Sequence, residues 1–204
     1  MNYLAHSYLA FSEQQLVGQF LEDYIRNNER FSLPKELLHG VKLHREIDTF
    51  TDAHDAIHEA KKIFSPLVRL YSGAFVDVAM DYFLANDTKE NSVEGWKSHS
   101  IYVYSTLEKY KRLFPETFHR MLERMKSDDW LFNYREDWGI KFSMKNVLNK
   151  AKYLNPELPV FDVFMENKQL LKECYNQFFP DLKKHVFEVN ESFKTADTNN
   201  DLDS

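Results

Sequence analysis

The chain has 204 residues, 43% of them apolar and 15% aromatic, and it contains only five glycines and six prolines. These values fit a single folded domain built from long elements, and they exclude a disordered chain. The net charge of −6 argues against a nucleic-acid-binding protein that relies on general attraction to phosphates.

Apolar residues recur at helical spacing from the N-terminus onward and predict an all-α fold, a single compact helical domain. Residues 2–11 form a short apolar segment. Ser12, with Gln15 three residues later, is typical of a capping box that starts a second helix. We expect that helix to end at Asn27 and Asn28.

Two prolines suggest where the next helices begin. Pro34 suits the first turn of a third helix, and Pro66 suits the start of another helix that runs to about Ala85. The residues predicted to form the core face of the latter helix share helical spacing: Leu67, Tyr71, Ala74, Phe75, Val78 and Tyr82.

The second half of the chain also shows helical spacing. The segments predicted to be helical are 93–114, 115–127, 140–154 and 160–187, and 155–159 is a predicted loop. The domain is predicted to span residues 1–194, and the small, polar and acidic residues 195–204 are expected to form a disordered tail.

Cysteine content and apolar runs bear on the compartment. The lone Cys174 excludes an internal disulfide and fits a reducing compartment as a packed thiol. The N-terminus has no basic segment followed by an apolar run, and no apolar run approaches the length of a membrane span. We therefore expect a cytoplasmic protein without a membrane span; the sequence does not predict its oligomeric state.

The third predicted helix carries charged groups on an apolar face. At 100° per residue, five residues fall on one side of it, namely Leu37, Val41, His44, Asp48 and Asp52. Charged groups that point inward must be paired or bound to a metal to offset desolvation. The sequence therefore predicts an active-site helix.

Further candidates lie on other predicted helices, and together they form a possible cation site. The full set is His6, Asp23, His44, Asp48, Asp52, Asp77 and Asp81. His44 and Asp48 are spaced i, i+4, as are Asp77 and Asp81, so these side chains could meet around one ion. Each also has a simpler explanation, since a single His is often a hydrogen-bonded core residue and an Asp near a helix end is often a cap.

The donor types indicate which metal would bind. A mixed set of imidazoles and carboxylates suits Mn²⁺, Mg²⁺, Fe or Zn²⁺, and oxygen-rich sites favour Mn²⁺ or Mg²⁺. His54 and His58 form a rival pair at i, i+4, but they lie among charged residues and we expect them at the surface.

Four stretches of the sequence resemble the acyl carrier protein phosphodiesterases, also called holo-ACP hydrolases, which are distant relatives of the HD phosphohydrolases. The stretches are 2–6 (NYLAH), 18–24 (GQFLEDY), 40–52 (GVKLHREIDTFTD) and 77–84 (DVAMDYFL). A weaker likeness follows at 130–134 (WLFNY) and at Gly139 with Ile140. The likenesses run in the family's order over most of the chain.

This resemblance implies an HD-phosphohydrolase-like helical bundle and a Mn²⁺-dependent hydrolase. Its substrate would be holo-acyl carrier protein, from which it removes the 4′-phosphopantetheine arm to leave the apo form. The residues that would hold or flank the metal are Asp23, His44, Asp48, Asp77 and Asp81. The resemblance also implies that a metal-activated water attacks phosphorus, with Asp23 among the catalytic groups.

Three further residues fit roles in the same reaction. His6 would be a further ligand or the general acid that protonates the serine alkoxide of the carrier protein. Arg45 and Lys42 are candidates for the cation that neutralises the phosphoryl oxygens, although both could equally be solvated.

Two residues depart from the family's pattern. The family commonly has Asn where Gln19 stands, and sometimes His where Tyr82 stands. Gln19 keeps an amide, whereas Tyr82 cannot replace a His as a neutral imidazole ligand.

An acidic carrier protein would be repelled by a chain of charge −6 unless its docking face were locally basic. Lys141 and Lys145, with Lys152 nearby, form the first candidate face. The second candidate comprises Arg120, Arg124 and Lys126.

Two other classes stay open on the sequence alone. A metal phosphohydrolase acting on a nucleotide or another small phosphodiester would use the same cluster without a docking face. A non-catalytic helical interaction protein would need no metal.

Overall fold

Eleven α-helices and short 3₁₀ turns form the computed structural model, which describes residues 1–25 and 32–202 and side chains as far as residue 195. The described part of the chain contains no β-strand, so the predicted all-α fold is confirmed. The helices are α1 (Tyr3–Tyr8), α2 (Glu13–Leu21), α3 (Lys35–Ala53), α4 (Asp55–Val68), α5 (Ser72–Ala85), α6 (Val93–Lys109), α7 (Glu116–Ser127), α8 (Trp130–Asn133), α9 (Asp137–Lys150), α10 (Val160–Glu166) and α11 (Lys168–Leu202).

The start of α2 follows the predicted cap. Ser12 adopts extended backbone and its hydroxyl accepts a hydrogen bond from the amide of Gln15 at 3.1 Å. The Gln15 side chain in turn accepts from the amide of Phe11. The α-helix ends earlier than predicted: it stops at Leu21, a 3₁₀ turn covers Glu22–Tyr24 and Ile25 is extended, whereas the end predicted at Asn27 and Asn28 lies outside the described residues.

The helix start predicted at Pro66 is wrong. Pro66 lies inside α4, in its last turn, and α5 begins only at Ser72. Proline cannot donate to the carbonyl four residues before it. That carbonyl belongs to Lys62, and it accepts instead from the hydroxyl of Ser65 at 3.3 Å. The lost backbone bond is thereby replaced, and the helix continues through the proline.

The second half of the chain is divided more finely than its periodicity predicts. Asn167 separates α10 from α11, where one helix over 160–187 was expected, and its side-chain amide donates to the Val163 carbonyl. The short helix α8 was not predicted as a separate element. The backbone of α11 continues to Leu202, and the domain boundary at residue 194 with its tail stays a prediction because side chains beyond 195 are outside the described part.

Two glycines bring α2 and α3 into backbone contact. A Cβ added to Gly18 would lie 2.1 Å from the Leu37 carbonyl oxygen, and one added to Gly40 would lie 2.2 Å from the Gln15 carbonyl oxygen. Because real Cβ atoms do not approach so closely, only glycine allows this spacing. The two helices therefore form a tightly spaced pair whose relative position is fixed by backbone atoms.

Helix α5 runs through the core. Val76, Ala79 and Met80 are fully buried. The free Cys174 on α11 is also buried, with 5% of its surface exposed. Ala74 departs from the predicted core face, because it is exposed.

The stretch Asp55–Ala85 is the one part of the described chain that is long and apolar enough, by length and composition, to cross a membrane. In the most apolar part of this stretch, 44% is buried inside the protein. Arg69, whose backbone φ is 52°, interrupts the stretch. A core helix of a soluble protein passes the same test, so the predicted absence of a membrane span stays a prediction.

Candidate metal centre

Three side chains from two helices converge at one end of the α2–α3 pair. The Nε2 atom of His6 on α1 lies 3.3 Å from Asp48 Oδ1, and the Nε2 atom of His44 on α3 lies 3.1 Å from Asp48 Oδ2. One donor atom from each residue lies within 4.8 Å of the other two. No other such group of three or more is found in the described part of the chain.

Gln19 on α2 orients both imidazoles. Its side-chain oxygen is 3.0 Å from Nδ1 of His6, and its backbone carbonyl oxygen is 2.8 Å from Nδ1 of His44. Metal-binding histidines use their second ring nitrogen in this way, which fixes the tautomer and turns the other nitrogen toward the ion. One residue therefore directs two Nε2 atoms at the same carboxylate.

The contact between His44 and Asp48 shows that a positive charge belongs there. The Gln19 carbonyl can only accept, so Nδ1 of His44 carries a proton. An unprotonated Nε2 would then turn a lone pair toward the Asp48 oxygen at 3.1 Å. This arrangement requires either an imidazolium or a cation held between the two groups.

Electrostatics in the metal-free protein follow from the same contacts. Burial lowers the pKa of His44, but Asp48 and then Asp23 outweigh it, so the pKa is raised. Burial dominates at His6, whose pKa is lowered, and Asp48 opposes this only in part. Burial raises the pKa of the Asp48 carboxyl, but its contacts with His44 and His6 outweigh this and hold the pKa well below its usual range. Asp48 is therefore a carboxylate and His6 a neutral imidazole.

A cavity of about 230 Å³ opens beside these groups. Asp23 lines it and is about half exposed, with Oδ1 3.9 Å from His44 Nε2, and Asp77 receives a 3.0 Å hydrogen bond from the Met1 amino group. No lysine or arginine lines this cavity in the described chain. Its full lining is Met1, Asn2, Tyr3, His6, Gln19, Phe20, Asp23, His44, Asp48, Thr51, Asp52 and Asp77.

Asp81 is placed differently from the other predicted ligands. It is fully buried, and its two oxygens accept from the backbone amides of Asn2, Leu4 and Ala5 at 3.2, 2.8 and 3.4 Å. Burial raises the pKa of Asp81 to about 7, although the Met1 amino group and the amides of Leu4 and Asn2 pull it downward. Asp81 therefore anchors the N-terminus of α1, the helix that carries His6, and does not line the cavity.

The predicted phosphate-binding cations lie outside the cavity. Arg45 pairs with Glu22 at 2.7 Å and is 48% exposed, and Lys42 is also exposed. On α9, Lys145 binds Glu157 and the Pro156 carbonyl, both at 2.7 Å. These residues are not brought to the His6, His44 and Asp48 cluster.

The alternative histidine pair, His54 and His58, and the family-variant position Tyr82 do not line this cavity either. His58 is exposed, as expected, and His54 caps α4 by accepting from the amide of Ala56 at 3.2 Å. Tyr82 donates to Asp137 at 3.0 Å. Sequence reasoning noted Gln19 as a family position but missed its orienting role, because half of that role belongs to a backbone carbonyl.

Comparison with known proteins places the chain in context. The model of a family described as "Acyl carrier protein phosphodiesterase" matches residues 1–182, a range that includes the cluster and the cavity. No solved structure matches the chain, so the HD-phosphohydrolase-like arrangement within the all-α fold stays a prediction.

Three proteins named acyl carrier protein phosphodiesterase illustrate the similarity. The Enterobacter sp. (strain 638) protein is 31% identical over 182 residues, covering 88% of this chain and 94% of its own. The Yersinia pestis protein is 26% identical over 191 residues, covering 91% and 97%. The Escherichia coli (strain K12 / DH10B) protein is 30% identical over 162 residues, covering 78% and 81%.

Proposed function

The chain belongs to the acyl carrier protein phosphodiesterase family of enzymes, and we propose that it is a metal-dependent hydrolase acting on holo-acyl carrier protein. It would cleave the phosphodiester between the carrier's serine and 4′-phosphopantetheine. The observation that supports a metal is the convergence of two oriented Nε2 atoms on the Asp48 carboxylate. We expect the enzyme to act in the cytoplasm.

The donor set fits a divalent ion. Two imidazole nitrogens and one carboxylate suit Mn²⁺, Fe²⁺ or Zn²⁺, and nearby Asp23 and Asp77 add oxygens that favour Mn²⁺ or Mg²⁺. We propose Mn²⁺, held by His6, His44 and Asp48, with Asp23 and Asp77 within reach. Asp81 would support the site by holding α1 in place.

When bound, the ion would supply Lewis-acid stabilisation of the phosphoryl oxygens and lower the pKa of water at the site. A water oxygen forms a bond to phosphorus while the bond from phosphorus to the serine oxygen breaks. Asp23, which lines the cavity and lies 3.9 Å from His44 Nε2, is placed to take the proton of that water. The serine oxygen must gain a proton, and the products are the apo carrier and 4′-phosphopantetheine.

The position of His6 favours a ligand role over the general-acid role. A general acid needs a proton at working pH, whereas burial lowers the pKa of His6. Its Nδ1 is engaged by Gln19 and its Nε2 faces Asp48. With no lysine or arginine lining the described cavity, charge on the phosphoryl group would be neutralised chiefly by the ion, and Arg45 would keep Glu22 in place.

We also propose that the carrier docks on the face formed by Lys141 and Lys145 on α9. Trp138 and Phe142 on α9 are 57% and 45% exposed beside Lys141 and Lys145. Exposed aromatic rings among lysines suit an acidic partner with apolar ridges. Reversing both lysines to glutamate should raise KM for holo-carrier, whereas Lys172→Glu on α11 should leave it unchanged. An unchanged KM in the double variant would remove this face.

The function is tested by intact-mass analysis of holo-carrier incubated with the purified protein. Conversion to the apo mass is expected with Mn²⁺ and should be lost with EDTA or in Asp48→Ala, while the exposed Asp55→Ala retains it. Conversion that survives EDTA would disprove the metal dependence. Turnover of a small phosphodiester such as bis(4-nitrophenyl) phosphate, without any change in holo-carrier, would instead favour a small-molecule phosphohydrolase.

A further inference from the structure

A second cavity adjoins the metal-site cavity. Its volume is about 350 Å³, and the two share four lining residues, Met1, Asn2, Tyr3 and Asp77. This volume lies within the range of small-molecule sites, roughly 300–1,000 Å³. A molecule that reacts at the His6, His44 and Asp48 cluster could therefore extend past Asp77 into a preformed space.

The walls of this second cavity are mainly apolar. Rings and aliphatic side chains from α1, α5, α9 and the segment 130–134 form them, namely Tyr3, Ala74, Val78, Trp130, Tyr134, Phe142 and Val147. Its polar groups include Ser143, which bonds to the buried Tyr134, and Asn146, whose side-chain amide makes no hydrogen bond within the described chain. A half-buried amide with free donors and acceptor suits a ligand that carries amides.

Two cations also border the second cavity. Arg124 on α7 and Lys150 on α9 line it, and neither has a carboxylate partner among the residues that the structure describes. The metal-site cavity has no such lysine or arginine in its described lining. Asp77 and Asp128 also line the second cavity, so its charge is mixed, but of the two cavities it is the one that offers cationic side chains to a phosphate ester.

The shape of this cavity depends on a close contact between α8 and α9. A Cβ added to Gly139 would lie 2.0 Å from the Asn133 carbonyl oxygen. The rings of Trp130 and Phe142, which both line the cavity, lie with their centroids 6.5 Å apart. The stretch 130–140, which the metal chemistry leaves without a role, thereby acquires one as a cavity wall.

We propose that the second cavity binds the pantetheine arm of the substrate, an inference that rests on the proposed function. The arm has two geminal methyl groups, two amides and a terminal thiol. The apolar walls would bury the methyl groups and Asn146 would hydrogen-bond an amide, while the phosphate reaches the metal site past Asp77. The arm would thereby position the ester for attack, and a phosphodiester without an arm would lack this contribution.

Binding of 4′-phosphopantetheine and of inorganic phosphate to the Mn²⁺-loaded protein tests the proposal. By calorimetry, the wild type should bind 4′-phosphopantetheine at least about tenfold more tightly than it binds inorganic phosphate, as burial of two methyl groups implies. Ala74→Trp places a large ring in the cavity from an exposed position, and it should abolish this difference without weakening phosphate binding. Ala53→Trp, at an exposed site that lines neither cavity, should keep it.

Asn146→Leu provides a second variant that keeps the helix and removes the amide. It should also reduce the preference for 4′-phosphopantetheine, with an unchanged thermal melt. Equal binding of both ligands by the wild type, or full preference in Ala74→Trp, would overturn the proposal. If cavity-dependent binding is observed but holo-carrier is not hydrolysed, the arm site stands and the proposed reaction fails.

Discussion

The imidazole rings of His6 and His44 stack with their centroids 4.0 Å apart and their planes 12° from parallel. Two imidazolium ions at this distance would repel each other strongly, so at least one ring stays neutral. Both rings nevertheless direct Nε2 at the same carboxylate, Asp48. Such a pair is better suited to sharing one divalent ion than to carrying two protons.

Gln19→Leu should weaken Mn²⁺ binding about 10- to 100-fold, the usual cost of removing a group that orients a metal-binding histidine. The variant removes the hydrogen bond to His6 but leaves the backbone carbonyl that binds His44. Calorimetric titration with Mn²⁺ would measure the change.

Gln15→Leu is the matched control for Gln19→Leu. Gln15 is buried one turn earlier on α2 and bonds to Asn190, far from the cavity. It should lower the free energy of unfolding but leave Mn²⁺ affinity unchanged. Equal affinity losses in both variants would show that the effect comes from general destabilisation of α2.

Asp81→Ala should destabilise the metal-free protein by about 3 kcal/mol, because it leaves the amides of Asn2, Leu4 and Ala5 without an acceptor in a buried place. Asp81→Asn keeps one acceptor oxygen and should cost less. Urea unfolding in EDTA measures both. Asp48→Ala should not cause a comparable loss, since Asp48 is about half exposed. Unchanged metal-free stability of Asp81→Ala would point back to the predicted ligand role.

Gly40→Ala should cost about 1–3 kcal/mol and also weaken Mn²⁺ binding. Its Cβ would clash with the Gln15 carbonyl, so α2 must move away from α3 and the bond between the Gln19 carbonyl and His44 must lengthen. Chemical unfolding and metal titration provide the two measurements.

Gly73→Ala serves as the control, because its nearest neighbour would be Lys61 Cε at 3.4 Å, an ordinary contact. This variant should bind Mn²⁺ normally and, since alanine favours helix, unfold no more easily than the wild type. Normal metal binding by Gly40→Ala would mean that the glycine contact serves packing alone.

The contribution of His44 to stability should depend on pH in opposite directions with and without metal. The raised pKa of His44 stabilises the metal-free fold fully below its unfolded value of about 6.5, and this contribution is lost as pH rises through the folded pKa. The lowered pKa of Asp48 stabilises it above about 3.8, and that contribution is lost in acid. The pair therefore contributes most between these two values.

Metal binding requires an unprotonated Nε2, so the rise in melting temperature caused by Mn²⁺ should grow between pH 6 and 8.5. Melting curves with EDTA and with Mn²⁺ across this range give the comparison. In Asp48→Asn, the pH dependence of the melting temperature in EDTA and that of the Mn²⁺-induced shift should both become weaker. A Mn²⁺-induced shift that is independent of pH in the wild type would exclude His44 as a ligand.

Helical periodicity predicted the positions of α2, α3 and most of α5, because each buries an apolar stripe that the sequence shows directly. It could not place Pro66, since a proline is tolerated inside a helix when a neighbouring hydroxyl, here that of Ser65, satisfies the freed carbonyl. Contacts within one helix are visible as spacing. Contacts between helices are not.

The candidate site shows the same difference between contacts within one helix, which the sequence predicts, and contacts between helices, which it does not. His44 and Asp48 were predicted together because they are four residues apart on one helix face. Asp81 shares that spacing with Asp77, yet the two carboxylates serve different partners once α1 docks against α5. Which of these two equally spaced residues faces the cavity depends on where the N-terminus of α1 lies. The sequence around Asp77 and Asp81 does not encode that position.

The backbone contact at Gly18 and Gly40 makes α2 and α3 behave as one body, and this body supplies Gln19, His44 and Asp48. His6 comes from α1, a helix of only six residues held at its N-terminus by Asp81. An ion bound between them would cross-link α1 to the α2–α3 pair. Removing it should therefore appear as faster amide hydrogen exchange in residues 3–8, while α2 and α3 stay protected.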